Sequence, residues 1–268
     1  MLIDNTRANV FRECPLKYYE LFVRNIEPVP FEYGPLDFGN RVHELLEEWY
    51  RKVPMFSIHV ESTNTDLEIE AQEMLLAYTA HYPNDNFNII SAEYTGVLPL
   101  PNSHHQYAFK RDLVVQDGNV IQVFDHKTEK RGGKGNLPQK WAARDQASLY
   151  IWAAQQEYPD KDIEFYVNQL TRRSPAGRMA PSFPERQKLE RTKEQIDLAV
   201  RDITYIADQI EAMAKQFGDE QWPANRENCY TWGYCSFYQP HTYGWSDEIL
   251  RGKFRPRKEY LQIEEKIE

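Results

Sequence analysis

Two aspartates and a lysine stand at suggestive intervals in the segment FKRDLVVQDGNVIQVFDHKT, residues 109–128: Asp112, Asp125 and Lys127. Asp117-Gly118, between two β-rich runs, predicts a two-residue hairpin turn, because both central residues tolerate positive φ. That turn pairs 116 with 119, 114 with 121 and 112 with 123, so Asp125 falls diagonally across from Asp112 and Lys127 shares their face. Diagonal neighbours have Cβ atoms roughly 7 Å apart, a gap that one divalent cation held by both carboxylates bridges. The ordinary alternative is a solvated strand face carrying an ion pair. It suits one Asp and one Lys, but two carboxylates on a buried face repel without a cation, and strands are depleted in Asp. Hard oxygen ligands suit Mg²⁺ or Mn²⁺, which makes Asp112, Asp125 and the backbone carbonyl of His126 the expected ligands. Lys127 would orient an attacking water and stabilise developing negative charge.

The elements that must position these groups read as helical, then β, then helical. Strands are expected at 88–99, 107–115, 119–127 and 163–170, the last with Ile163, Phe165 and Val167 alternating. Residues 15–25 and 39–52 read as helices, the second with Val42, Leu45, Leu46 and Trp49 as its core stripe, and 66–82 as a third. A helix at about 141–157 places Gln146 and Tyr150, four apart, on one face. The Gly-, Lys- and Pro-rich loop 130–139 before it could close over a substrate. Thr192 and Gln195 form a capping-box pattern opening a long helix, apolar at Ile196, Ala199, Val200, Ile203, Ala207, Ile210 and Met213, that stops near Gly218. The fold class is therefore α/β, with a mixed central sheet flanked by helices and helical N- and C-terminal parts.

Asp112 followed by Asp125-His126-Lys127 resembles the D…(D/E)xK signature of the PD-(D/E)XK nuclease superfamily. Gln146 to Tyr150 resembles the QxxxY motif of its RecB-like branch, and Gly39 to Glu47, with His43 inside it, resembles that branch's GxxxHxxLE helix. Cys14-Pro15 and a cysteine-bearing tail extend the resemblance over nearly the whole chain, as in CRISPR adaptation and helicase-associated nucleases. Two departures stand out: Phe109 occupies a position where a small residue is common, and three cysteines are present instead of four. The resemblance implies a restriction-endonuclease-like core at about 39–170 in a single domain, 1–268, with 1–38 and 189–245 packed together. It implies phosphodiester hydrolysis on DNA, with His43 as a further metal ligand where a lone histidine beside an apolar stripe is usually structural. Glu93 matches the acidic residue preceding the first aspartate, or is an isolated strand glutamate; Gln146 and Tyr150 position phosphate or a base, or pack as helix residues. The matched His43 leans towards exonuclease-like action on DNA ends. The alternatives are a structure-specific endonuclease and a catalytically silent nucleic-acid-binding or assembly protein, the latter disfavoured by the intact Asp112, Asp125 and Lys127. Recombination, repair or replication proteins are the implied partners, in a bacterial or phage-type setting.

Composition bears on where such a chain works. Of the 268 residues, 41% are apolar, enough for a sizeable core; neither a secretory h-region nor a membrane-length apolar run occurs. Three cysteines, an odd number, point to a reducing, cytoplasmic compartment. A net charge of −9 is awkward for a DNA-binding protein, yet Lys127 to Arg144 holds six cations and one acid. Lys130, Arg131, Lys134, Lys140 and Arg144 are the expected phosphate contacts, with a solvated loop as the plainer reading. A second basic stretch runs through Arg172, Arg173 and Arg178 to Arg186, Lys188, Arg191 and Lys193.

Cys229-x5-Cys235 follows the long helix, and RecB-type nucleases with an iron–sulfur cluster clip their chain ends together with cysteines in these regions. By that resemblance Cys14, Cys229 and Cys235, with His241 six residues further on, would hold zinc or a four-iron cluster in a structural role. Three buried thiols acting as small hydrophobes are the alternative. His104-His105 and His126 lack comparable partners in the sequence, and His126, on the opposite strand face, reads as packing or solvated.

Overall fold

The computed structural model describes residues 1–29, 35–52, 65–83, 85, 87–130, 137–174, 179–231 and 233–258. Its strands are β1 (Leu2–Ile3), β2 (Ile26–Pro28), β3 (Asn88–Pro99), β4 (Gln106–Asp117), β5 (Val120–Glu129), β6 (Asp162–Thr171), β7 (Gln187–Leu189) and β8 (Phe254–Pro256). Its helices are α1 (Asn5–Glu13), α2 (Pro15–Tyr18), α3 (Pro35–Tyr50), α4 (Thr65–His81), α5 (Leu137–Ala142), α6 (Asp145–Glu157), α7 (Lys193–Phe217), α8 (Tyr238–Tyr243) and α9 (Asp247–Lys253). Six strands form one mixed sheet in the order β1-β4-β5-β6-β7, with β3 also paired to β4. The β5–β6 pair is parallel, as a crossover through α6 requires, whereas β4–β5 and β6–β7 are antiparallel. This is the mixed, helix-flanked sheet that the sequence predicts.

The β4–β5 hairpin differs from expectation by one residue. Asp117 pairs with Val120, Val114 with Val123 and Leu113 with Phe124, so Gly118-Asn119 form the turn. Of these two residues only Gly118 takes a positive φ, +58°, so the turn needs one glycine and leaves Asp117 in the ladder. Sliding the turn by one residue shifts every partner by two, so side chains keep their faces. Continued one pair beyond Leu113 and Phe124, the register sets Asp112 opposite Asp125 instead of on the diagonal.

The chain divides into two compact units, one of residues 1–31, 96–109 and 198–268, the other of residues 32–95 and 110–197. In the second, α3 and α4 bury their apolar faces on the sheet: Val42, Leu45 and Leu46 meet Met74, Leu75 and Tyr78 over Leu113, Phe124 and Leu170. Trp49 is only partly buried at the margin. Helix α3 begins four residues earlier than its periodicity suggests, because Pro35 sits where a missing N–H costs nothing. Buried Arg41 on α3 grips buried Glu68 on α4 through Nε–Oε2 at 2.7 Å and Nη2–Oε1 at 2.9 Å.

In the first unit the N-terminal helices and the C-terminal segment hold each other. Leu16 N donates to Pro223 O at 3.0 Å, Tyr19 Oη to Asp219 O at 2.6 Å and Asn228 Nδ2 to Glu13 O at 2.6 Å. Trp222 stacks on Tyr18, and β2 pairs antiparallel with β8. The Thr192–Gln195 capping box opens α7 as predicted: Thr192 N donates to Gln195 Oε1 at 2.9 Å and Gln195 N to Thr192 Oγ1 at 3.3 Å.

Candidate active site

Helix α3 comes close to β5 because residue 39 is glycine: a Cβ there would lie 3.1 Å from Thr128 Oγ1. One turn later His43 reaches the sheet, with Nδ1 at 3.1 Å from Glu93 Oε1 and 3.5 Å from Asp112 Oδ1. Ligand-type atoms of His43, Glu93 and Asp112 all lie within 4.8 Å of one another. Glu93 stands in the middle of β3 at φ +52°, a conformation that costs a non-glycine residue about 1 kcal/mol or more and tends to persist where function holds it. Its other carboxylate oxygen meets Lys110 Nζ at 2.6 Å.

The hairpin supplies the remaining groups. Asp112 Oδ2 accepts from His126 N at 2.6 Å, and Asp125 Oδ2 lies 2.7 Å from Lys127 Nζ. Burial by itself would raise Asp112, but the charges of His43 and Lys127 hold it well below the usual carboxylate range. Asp125 goes the other way, pushed up to about 6 by burial and by Asp112, against the pull of Lys127. Burial disfavours the His43 imidazolium, yet Asp112 and Glu93 outweigh it and bring His43 to about 10. The same contest raises Lys127, where burial is overcome by Asp125 and Asp112. The centre is thus a buried set of carboxylates with enough negative potential to keep a histidine protonated, an environment whose donor chemistry fits a hard divalent cation.

The other predicted residues fall into place unevenly. Gln146 Nε2 donates to Tyr150 Oη at 3.0 Å and lies 3.5 Å from Asp125 Oδ1, while Tyr150 Oη donates to Lys110 O at 2.5 Å. These bonds go to the protein, and the buried Tyr150 braces β4 through its hydroxyl. The His126 ring is buried and packed, not solvated: Asn168 Nδ2 donates to its Nδ1 at 2.9 Å and to Tyr78 Oη at 2.8 Å, and Tyr50 stacks on it. Burial drives His126 down to about 3, which keeps the ring neutral. Lys130, Lys140 and Arg144 are exposed, Arg144 over the Trp141 ring, whereas Arg131 and Lys134 lie outside the described residues. The second basic stretch is largely neutralised. Arg172 pairs with Glu70, Arg173 with Glu73, Arg186 with Asp85, Lys188 with Glu164 and Lys193 with Asp197. Arg191 bonds Ser148 and the Trp141 carbonyl, and Arg178 lies outside the described residues.

The cysteine set is not gathered into one cage. Cys235 N donates to Cys229 O at 2.9 Å and Asn225 N to Cys14 Sγ at 3.4 Å, but His241 Nε2 turns to Glu20 Oε1 at 3.1 Å. Among the described residues, no three ligand atoms of Cys14, Cys229, Cys235 and His241 lie within 4.8 Å of one another. Lys110, two residues before Asp112 and therefore on its strand face, is a group of the centre that motif reading passes over; strand alternation is the signal that finds it.

The profile of the PD-(D/E)XK nuclease superfamily matches residues 5–239. Among curated proteins nothing matches the chain. Among solved structures, a Eubacterium rectale protein designated a candidate exonuclease superposes with a TM-score of 0.55 at 12% identity, covering 91% of this chain and 89% of its own. LHK-Exo in complex with dAMP overlaps at a TM-score of 0.31 and 11% identity, over 66% of this chain and 88% of its own, too loosely to bear on the fold. No helix among the described residues is long and apolar enough to cross a membrane. PD-(D/E)XK nucleases use divalent metal ions, and the two aspartates and the lysine of their signature meet here beside His43 and Glu93. With the profile spanning nearly all of the sequence and the fold to match, the chain belongs to the PD-(D/E)XK nuclease superfamily.

Proposed function

We propose that this protein is a Mg²⁺- or Mn²⁺-dependent deoxyribonuclease that works from DNA ends. The observation that carries this reading is the convergence of His43, Glu93 and Asp112 within 4.8 Å, next to the Asp125–Lys127 pair. His43, Glu93, Asp112, Asp125 and the backbone carbonyl of His126 would hold the ion. When bound, a divalent cation offsets charge on the scissile phosphate and acidifies a water molecule. Lys127 orients the attacking water, and its ammonium opposes the charge that develops on the phosphate oxygens. Gln146 holds Asp125, while Tyr150 braces the strand carrying Lys110 and Asp112. Exposed Lys130, Lys140 and Arg144, with Arg131 and Lys134, would contact the DNA backbone.

Action at ends is favoured by His43 standing among the ligand-type atoms, and by the similar fold of the Eubacterium rectale protein designated a candidate exonuclease. Incubating linear and covalently closed circular DNA with Mg²⁺ or Mn²⁺, and with EDTA, tests it. Linear DNA should be degraded from its termini, circles should survive, and EDTA should stop the reaction. Cutting of circles would assign a structure-specific endonuclease, and inertness towards both would leave a silent binding fold.

For Cys14, Cys229 and Cys235 zinc or an iron–sulfur cluster rests on the resemblance alone. Iron and sulfide in protein purified without oxygen would support the cluster, zinc would support the other site, and the absence of both would leave three structural thiols.

A further inference from the structure

Two histidines without partners in the sequence acquire them in the fold of the first unit. The turn between β3 and β4 is locked: Asn102 takes φ +54°, Leu100 N donates to His105 O at 3.0 Å and His105 N donates to Ser103 Oγ at 3.1 Å. It delivers His104 and His105 to α7, where Asp208 and Glu211, three residues apart, lie on one helix face. His104 Nε2 stands 3.1 and 3.2 Å from the two oxygens of Glu211, and His105 Nε2 stands 3.0 Å from Asp208 Oδ1. The imidazole rings are 4.0 Å apart at their centroids, and ligand atoms of His104, His105 and Glu211 lie within 4.8 Å of one another.

We propose that His104, His105 and Glu211, with Asp208 adjoining, form a second metal site that takes a zinc-class transition ion and ties the β3–β4 turn to α7. Two imidazoles and a carboxylate are the donor set of Zn²⁺, Co²⁺ or Ni²⁺, not of the Mg²⁺ or Mn²⁺ suited to the oxygen-rich centre around Asp112. A solvated ion pair accounts for the exposed His104 and Glu211. His105 joins them from the interior: its side chain is fully buried, yet it turns Nε2 towards the same helix face, 3.0 Å from Asp208 Oδ1. Lys215 approaches Glu211 Oε2 at 3.3 Å, but its side chain is 73% exposed and gives way without disturbing the fold.

The test is titration of the full chain with Co²⁺, followed by visible spectroscopy and elemental analysis. It is run on the parent, on His104→Ala and Glu211→Gln, and on a protein carrying Asp112→Ala with Asp125→Ala. One Co²⁺ per chain should persist in the doubly substituted protein, with ligand-field bands and no thiolate charge-transfer absorption. Its affinity should fall at least about tenfold in both His104→Ala and Glu211→Gln, and Zn²⁺ should raise the melting temperature of the parent but of neither single variant. Both altered side chains reach solvent, so folding should survive. The site is overturned if no such equivalent binds, if it disappears with Asp112 and Asp125, if it carries thiolate absorption, or if both single variants bind as the parent does.

Discussion

Asp125 and Lys127 are the residues on which the proposed chemistry turns, and their environment predicts how substitution will act. Asp125→Ala and Lys127→Ala should each lower turnover by at least about 100-fold, the scale of lost electrostatic stabilisation of a transition state. Steady-state kinetics at saturating Mg²⁺ checks this, and activity within threefold of the parent would remove either residue from the mechanism. Burial and the charge of Asp112 both work against ionised Asp125, so Asp125→Ala should melt no lower than the parent in EDTA. Lys110 predicts a change of another kind. Its ammonium sits on Glu93, where burial works against its charge but the carboxylate prevails. Removing that cation from beside a cation site should let Mg²⁺ bind more readily. In Lys110→Met the half-saturating Mg²⁺ concentration should therefore fall severalfold; a rise would mean that Lys110 serves chiefly to hold Glu93 in place.

At the scale of elements, α3 and α4 are joined by a buried ion pair whose loss should be measurable. Glu68 is held below its ordinary value of 4.5 chiefly by the hydrogen bonds of Arg41, against the opposing effect of burial. A carboxyl whose folded value is depressed stabilises fully above its unfolded value, and that contribution drains away as pH falls through the folded value. Breaking one side of such a pair costs about 3–5 kcal/mol, with the lower end expected here because Glu44 also contacts Arg41. Glu68→Gln should accordingly unfold at lower urea than the parent at pH 7, and the gap should narrow as pH falls below the ordinary value of 4.5. A gap independent of pH would assign the loss to packing alone. The long elements were legible because their periodicity reports burial: Val42, Leu45 and Leu46 on α3, and Phe165 and Val167 on β6, are all in the core. Two- and three-residue strands such as β1, β2, β7 and β8 carry no period to read, since their partners alone define them.

For the whole molecule, the net charge of −9 sets DNA against most of the surface, so binding should depend on the exposed cations around the catalytic centre. Reversing Lys130, Lys140 and Arg144 to glutamate should weaken DNA binding. It should also reduce the slope of log affinity against log salt by about one unit per lost contact. Fluorescence titrations over a range of salt concentrations measure that slope, and an unchanged slope would return these side chains to ordinary solvation. The second basic stretch should contribute little, because Arg172, Arg173, Arg186, Lys188 and Lys193 already spend their charge on carboxylates of the same unit.

The sequence by itself determined the fold class, the long helices and strands, and the residues of the signature, because alternation and helical spacing are local properties of the chain. It placed Asp112, Asp125 and Lys127 on one face even with the turn displaced by a residue, since a shift of two in pairing preserves the pleat. What only the tertiary structure decided depends on contacts between distant segments. Glu93 reaches His43 across fifty residues through a left-handed backbone, and Lys110 claims its second oxygen. His104 and His105 meet Glu211 and Asp208 across about a hundred residues, and the arginines after β6 find acids on α4. Whether a charge is a ligand, a brace or one half of an ion pair is fixed by which opposite group the fold brings within about 4 Å, and no local pattern encodes that distance.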